Sequence, residues 1–352
     1  MPCTFAPVTT ATSEPVRTAV VGYGGGGRFF HAPVIAGAAG CELVAVVTGS
    51  PERAAQARAE HGVQVVASLA ELPDLGVEAV TVSTPAATHT ALTEEALRLG
   101  LATVCDKPFA LDAAAARATA ALAAELGVPL TVYQNRRFDA DFRTLQRLLA
   151  DEALGSVQRV ESSFERWAAG DPPPAGAGLL RDFGSHLVDQ ALVLSGPAVS
   201  VSAQTLGPDG AEHDVRLQLL HASGVRTEIS GSWKQAAPGP RFRVTGTAGT
   251  FVLDAPMEGQ EEALVAGRTP AAEGAAWGAE PAHRWGRLHV AGGPVLPVRS
   301  EQGCWPAFYE RFAAAVRGHG AVPVDPAEAI ASTVVLDAAR TSAAEHRSVP
   351  VG

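Results

Sequence analysis

The stretch from Thr18 to Pro33, TAVVGYGGGGRFFHAP, leaves a chain few ways to fold, because the apolar run Ala19, Val20, Val21 feeds straight into a cluster of glycines. Gly22, Gly24 and Gly27 have the spacing G-x-G-x-x-G. The first glycine permits a tight strand-to-helix turn, the second lets a pyrophosphate approach the backbone, and the third lets the helix pack closely on the strand. A helix starting there turns free N–H groups and a partial positive charge toward phosphates. Gly25 and Gly26 offer overlapping matches, and a kinase glycine loop is the rival, since Asp182, Phe183, Gly184 mimic a D-F-G. That rival fails on context: a kinase loop joins two strands, the chain has no H-R-D motif, and the residues after Gly27 have helical character.

Beyond the glycine cluster the chain alternates strand and helix with short connections, the pattern of a parallel, doubly wound sheet. Strands are expected at 44–48, 63–66, 77–83, 103–105 and 130–133, and helices at 51–60, 88–99 and 112–126. This alternation is what strengthens the glycine fingerprint. At the end of the second strand, Thr48, Gly49 and Ser50 stand where adenine ribose is recognised, and no carboxylate is among them. An Asp or Glu would accept from a free 2′-hydroxyl and repel a 2′-phosphate, so its absence favours NADP, with NAD as the alternative. Thr48 and Ser50 can donate to that phosphate and Arg53 can reach it; a solvated helix face is the other reading of Arg53.

With 352 residues the chain has room for about two domains. The expected boundaries are a disordered tail over 1–16, a Rossmann domain over 17–134 and a C-terminal domain over 135–352. A formal charge of -10 argues against nucleic acid, and no apolar run has the length of a membrane span. Residues 1–16 lack the basic-then-apolar order of a secretory signal, so a cytoplasmic protein is expected. Cys3, Cys41, Cys105 and Cys304 are scattered, which suits free thiols better than disulfides or a metal site.

Past Tyr133 the texture changes. Residues 134–149 are charged and amphipathic, which suggests a surface helix carrying Arg136 and Arg137, and 170–178 is a Pro/Gly/Ala loop. Strands with polar alternation are expected at 157–164, 199–204, 215–221, 225–232 and 241–245, implying an antiparallel sheet with helices on one face. The segment 258–293 is loop-rich, and helices close the chain at 306–317 and 326–345.

Two places carry candidate chemistry. The fifth strand runs into Cys105, Asp106, Lys107, Pro108, and ligands in open α/β sheets sit beyond the carboxyl ends of strands, so Lys107 is delivered to the nicotinamide side. A helix from about Asp182 places Asp182, His186 and Asp189 on one face. A carboxylate beside an imidazole makes a general acid or base, with Asp189 behind it. Rival readings are a helix N-cap for Asp182, a packed core position for His186, and a metal pair lacking further ligands. Thr84, Pro85 and His89 come after the fourth strand, where turn and cap chemistry, with Thr88 as cap, is the plainer account. Trp233, Trp277 and Trp285 can line a sugar cleft or simply be packed.

The combination of GYGGGGRFFHAP, DKP at 106–108, YQNRRFDADF at 133–142 and DFGSHLVDQ at 182–190 resembles the Gfo/Idh/MocA oxidoreductase family. The likeness to its NADP-dependent scyllo-inositol dehydrogenase type extends through PRFRVTG at 240–246, EGQEEALVAGRTP at 258–270 and WGAE at 277–280. The resemblance implies an α/β chain: an N-terminal Rossmann domain, a C-terminal α+β domain on an open, mostly antiparallel sheet, and a homodimer or homotetramer formed through that sheet. It implies hydride transfer between NAD(P) and an inositol, sugar or related polyol. Lys107, Asp182 and His186 match the catalytic positions, and either Lys107 or His186 exchanges the proton. Arg136 matches a basic residue near the substrate, and Gly22, Gly24 to Gly27, Arg28, Thr48, Gly49, Ser50, Arg53, Thr84, Pro85, His89, Asp106 and Lys107 fall where cofactor is bound. Asp106 replaces the usual glutamate, and Gly49 replaces an arginine frequent in NADP-using relatives. A cofactor-binding sensor that lost catalysis, and a glycosidase using tightly bound NAD, are the alternative functions.

Overall fold

The computed structural model describes residues 14–168, 178–208, 210–255 and 259–352. Residues 1–13 of the expected tail, and all of the expected 170–178 loop except Gly178, lie outside the described residues. The chain forms two compact units, each built from several segments. The first comprises the described residues up to Phe138 together with Gln260–Trp277 and Cys304–Ile330; the second comprises Asp139–Gly259, Gly278–Gly303 and Ala331–Gly352.

The first unit is built on a six-stranded parallel sheet: β1 (Val16–Val21), β2 (Cys41–Val47), β3 (Gln64–Val66), β4 (Ala79–Val82), β5 (Ala102–Cys105) and β6 (Leu130–Val132), in the order β3-β2-β1-β4-β5-β6. Successive side chains of a strand point to opposite faces, and here both faces are buried. Val16 and Val20 of β1, Val46 of β2 and Ala79 of β4 enter one core, which Ile35, Trp305, Phe308, Tyr309 and Phe312 complete. Ala19, Val21, Ala45, Val47, Val80 and Val82 enter the other. This two-sided burial explains why these strands are continuous apolar runs. The helices between these strands are α1 (Ala32–Ala36), α2 (Pro51–His61), α3 (His89–Arg98) and α4 (Ala113–Leu126), and the segment Cys304–Ile330 adds a helix at Pro306–Val316. Ser50 caps α2, its Oγ accepting from the Arg53 amide, and Asp112 caps α4 by accepting from the Ala115 amide.

The second unit carries a nine-stranded sheet made from β7 (Val157–Glu165), β8 (Ala198–Leu206), β9 (Asp214–His221), β10 (Arg226–Ser232), β11 (Phe242–Gly246), β12 (Gly249–Leu253), β13 (Gly286–Val290), β14 (Val295–Val298) and β15 (Val349–Pro350). The pairing is antiparallel apart from β7 with β10. Helix α5 (Ala140–Ala150) packs Phe142, Leu145 and Leu148 against Val160, Phe242, Val244 and Phe251. Helix α6 (Leu179–Ser195) packs Leu179, Phe183, Leu187 and Ala191 against Val201, Val215, Leu217 and Ile229.

Three expectations are corrected. The helix expected from about Asp182 begins a turn earlier, with Gly178 at its N-cap, so Asp182 is not a cap. The surface helix expected over 134–149 is a tight turn at Asn135–Phe138 followed by α5, and Arg136 in that turn is 4% exposed. The loop-rich segment contains a helix at Gly259–Val265 and strand β13, both too short and too interrupted by glycine and proline to show a period in the sequence.

Candidate active site

The sheet order of the first unit reverses between β1 and β4, which opens a crevice at the carboxyl ends of these two strands. The glycine loop leaves β1 here. Gly22 has φ +93°, and a Cβ on it would lie 2.4 Å from the Ser83 carbonyl oxygen. A Cβ on Gly27 would lie 2.0 Å from the Gly22 carbonyl oxygen. These two glycines are demanded by the chain's own packing. At Gly24 and Gly25, by contrast, an added Cβ meets nothing within 4 Å. No neighbour in the fold requires glycine there, and the open space suits the close approach of a pyrophosphate. Residues Gly26–His31 make a wide π-type turn that continues into α1, where a regular α-helix was expected.

Asp106 and Lys107 come directly after β5 on the same side. The Asp106 carboxylate is gripped from three directions. Its Oδ1 accepts from the Lys107 backbone amide at 2.8 Å, and its Oδ2 accepts from Ser83 Oγ at 3.0 Å and lies 3.0 Å from His31 Nε2. Burial opposes the charge on Asp106, but His31 facing it, with Lys107 and His89 nearby, holds its carboxyl well below the usual carboxylate range. His31 Nδ1 lies 2.6 Å from the Tyr309 hydroxyl, which is 3.2 Å from Thr81 Oγ1. Burial first of all keeps the Tyr309 phenol protonated far above its ordinary range. The Asp106 carboxylate only accepts, so Nε2 carries its proton toward it, while Nδ1 and the phenol share the other hydrogen bond.

Of the residues after β4, Pro85 is exposed and Thr84 half-buried. Thr88 does not cap its helix; its hydroxyl donates to the Pro85 carbonyl at 2.8 Å. His89 is buried, with Nδ1 2.8 Å from the Pro108 carbonyl oxygen and Nε2 2.8 Å from the Thr84 carbonyl oxygen. Both partners only accept, so both ring nitrogens must donate and the imidazole is a cation. Burial works against that charge, yet the Cys105 sulfur, the Asp106 carboxylate and the Pro108 carbonyl outweigh it and push the pKa up to about 9.

At the far end of the crevice, Thr48 Oγ1 accepts from the Ser50 amide at 3.2 Å, and Ser50 Oγ accepts from the Arg53 amide at 3.3 Å. Each hydroxyl therefore keeps its own proton to donate. Arg53 is exposed, and a Cβ on Gly49 would meet nothing within 4 Å. Arg28 is held by Glu60 of α2, its Nε donating to Oε1 at 2.9 Å, while the Tyr23 hydroxyl donates to Oε2 at 2.8 Å.

In the second unit, Asp182 and His186 stand one turn apart on α6, Asp182 half-buried and His186 buried. The Phe183 ring between them stacks on Phe164, with centroids 3.7 Å apart, and packs edge-on against Trp233. Asp189 is buried on the same helix.

Arg136, in the first unit, forms an ion pair with Glu261 and lies over the Trp305 ring, so it is not a surface cation. Trp277 is packed in the core of that unit, its Nε1 donating to Gln260 Oε1 at 2.8 Å, rather than lining a cleft. Trp285 Nε1 donates to the Glu280 carbonyl oxygen at 3.1 Å. Among the described residues no group of three His, Cys, Asp or Glu is arranged to hold a metal, and no helix is long and apolar enough to cross a membrane. Cys41, Cys105 and Cys304 are free thiols, and Cys3 lies outside the described residues.

Sequence reasoning missed His31, Tyr309 and Arg241. His31 stands just past the glycine motif, so its place was visible, but Tyr309 approaches it across 278 residues. Arg241 is buried and bridges three elements of the second unit. Its Nε donates to Asp141 Oδ2 at 3.0 Å, and its other nitrogens donate to Ser162 Oγ at 2.7 Å and Gln190 Oε1 at 2.5 Å.

Residues 16–134 match the Gfo/Idh/MocA oxidoreductase family, NAD-binding Rossmann fold, and residues 142–252 match the Gfo/Idh/MocA C-terminal domain. The chain is 33% identical over 357 residues to the uncharacterized oxidoreductase YdgJ of Escherichia coli strain K12, covering 96% of this chain and 98% of that one. It is 29% identical over 348 residues to IolW of Bacillus subtilis strain 168, a scyllo-inositol 2-dehydrogenase (NADP(+)), covering 96% of each. The solved structure of yvaA from Bacillus subtilis matches with a TM-score of 0.89 at 27% identity, over 96% of this chain and 99% of that one. Two domain profiles in order, a full-length relative above 30% identity and a parallel sheet with its glycine loop at the strand reversal agree: this chain belongs to the Gfo/Idh/MocA family of oxidoreductases.

Proposed function

We propose that this oxidoreductase is an NADP-preferring dehydrogenase acting on a secondary alcohol, or the corresponding carbonyl, of an inositol, sugar or related polyol. The observation that carries the reading is the open space at Gly24 and Gly25 on the same side of the sheet as Asp106 and Lys107. The residues fit the dinucleotide: glycine backbone for the pyrophosphate, and the Thr48 and Ser50 hydroxyls, with Arg53, for a 2′-phosphate. When bound, the cofactor supplies a nicotinamide ring that accepts or returns a hydride at its C4. IolW, whose name specifies scyllo-inositol and NADP(+), supports the substrate class.

In the oxidation direction His186 takes the hydroxyl proton, and Asp182, one turn earlier on α6, orients the imidazole and stabilises its charged form. Lys107 stabilises the negative charge that develops on the substrate oxygen, and Asp106 holds the Lys107 backbone. In reduction the proton moves back along the same groups. The protein is proposed to work in the cytoplasm as a homodimer or homotetramer.

Nicotinamide fluorescence and absorbance test the reading. Titration with NADPH and NADH identifies the tighter cofactor, and a panel of inositols, aldoses and their oxidised forms is then screened with it. Net cofactor oxidation or reduction with at least one polyol is expected. Lys107→Ala and His186→Ala should each lower kcat by about 100-fold or more while still binding cofactor. Cofactor retained through purification with no net redox change on any polyol would overturn the dehydrogenase reading, as would near-normal turnover by both variants.

A further inference from the structure

The chain from Thr81 through Tyr309, His31 and Asp106 ends on the backbone amide of Lys107. His31 closes the turn Gly26–His31 that comes after the phosphate-facing glycines, so its ring ties that turn to the segment after β5. The two segments also touch directly, because a Cβ on Gly26 would lie 2.6 Å from Ser83 Oγ and 3.3 Å from Asp106 Oδ2. The His31 ring has little freedom of its own. It is 1% exposed, its centroid is 4.2 Å from that of Tyr133, and both its nitrogens are engaged. A carboxylate left to rotate would release the amide at the start of the Lys107 segment, whereas one fixed at both oxygens holds it.

We infer that His31 is a positioning residue: by donating to Asp106 while its Nδ1 is tied to Tyr309, it locks the carboxylate that sets the backbone of Lys107, and so makes glycine turn and lysine one rigid element. The inference rests on Lys107 meeting the substrate oxygen. The chemistry asks nothing more of His31 than a donor at the Nε2 position with its back held. A glutamine, whose amide nitrogen reaches about as far, preserves that donor, and a leucine of similar bulk does not.

The experiment uses the full chain as the native protein and as His31→Leu, His31→Gln and Tyr309→Phe. Turnover is measured with NADPH or NADH and the best polyol of the panel, and cofactor affinity by nicotinamide fluorescence. His31→Leu is expected to lower kcat about 10- to 100-fold with cofactor Kd changed less than about threefold, since misplacement of a reacting group is felt mainly in the chemical step. His31→Gln should recover most of that loss, and Tyr309→Phe should fall between. Equal impairment in His31→Leu and His31→Gln, or unaltered kcat in His31→Leu, overturns the inference. A second readout needs no turnover. In ¹⁵N-histidine NMR the native protein should show a downfield, slowly exchanging Nε2 proton on His31 that shifts in Tyr309→Phe, and its absence likewise overturns the inference. That signal present in a protein that oxidises no polyol would sink the functional reading and leave the His31–Asp106 tie intact. Should His31→Leu fail to fold, the His31→Gln and Tyr309→Phe rates and the proton signal decide the matter.

Discussion

Gly27 packs on the carbonyl oxygen of Gly22, so closely that a Cβ at position 27 would sit 2.0 Å from that oxygen. The loop is thus closed by its own backbone, and its glycines divide by duty. Gly27→Ala should destabilise the protein by about 2 kcal/mol or more, because the clashing atom is backbone and cannot turn aside. Gly24→Val should leave the urea midpoint close to native and weaken NADPH and NADH by about tenfold or more, close to 1.4 kcal/mol of lost binding. Denaturant titration alongside cofactor fluorescence checks both; similar behaviour of the two variants would contradict the division.

Gly49 is exposed and has clear space where a side chain would begin. An arginine fits there without displacing a neighbour and brings a planar donor toward the ribose end of the crevice. Gly49→Arg is expected to raise the NADPH-to-NADH affinity ratio about tenfold, in keeping with one charge-assisted contact. The titration is repeated at raised salt, where the gain should shrink.

His89 makes a pH prediction. Its folded pKa of about 9 exceeds the ordinary 6.5. The stabilisation is therefore fully present below about pH 6.5 and lost as pH rises through about 9, and it amounts to about 3 kcal/mol. The difference in unfolding free energy between the native protein and His89→Gln should shrink by about that amount across this window. A constant difference would mean that the imidazole is neutral throughout.

Arg241 stands 2% exposed with Asp141, Ser162 and Gln190 around its guanidinium. Asp141→Ala leaves a buried cation without its counter-charge and should cost about 3–5 kcal/mol. Arg241→Met combined with Asp141→Leu should recover about half of that loss or more, because an apolar pair restores packing without burying a lone charge. Equilibrium unfolding of the single and double variants measures this. A double variant weaker than the single would show that Ser162 and Gln190 depend on the charged pair.

The first unit was largely legible because two-sided burial forces its strands into runs such as Ala19-Val20-Val21 and Val44 to Val47, and because glycine has few other uses after a buried strand. Positions held by side-chain pairs distant in sequence were not legible. Arg136 looked like a surface cation because its partner Glu261 lies 125 residues away. His89 had the setting of a cofactor contact, and both its ring nitrogens face backbone carbonyls that no side-chain pattern reveals. Trp277 showed only that it was large, and its indole is satisfied by a glutamine in a segment without periodicity.

The interleaving of the chain bears on its synthesis. Val20 and Val46, made early, share a core with Trp305, Phe308, Tyr309 and Phe312, made late. While the nascent polypeptide emerges, one face of the parallel sheet is only partly covered, by Ile35 and its neighbours, until the ribosome has passed position 330. Premature termination anywhere before that point should therefore yield a sticky fragment dependent on chaperones.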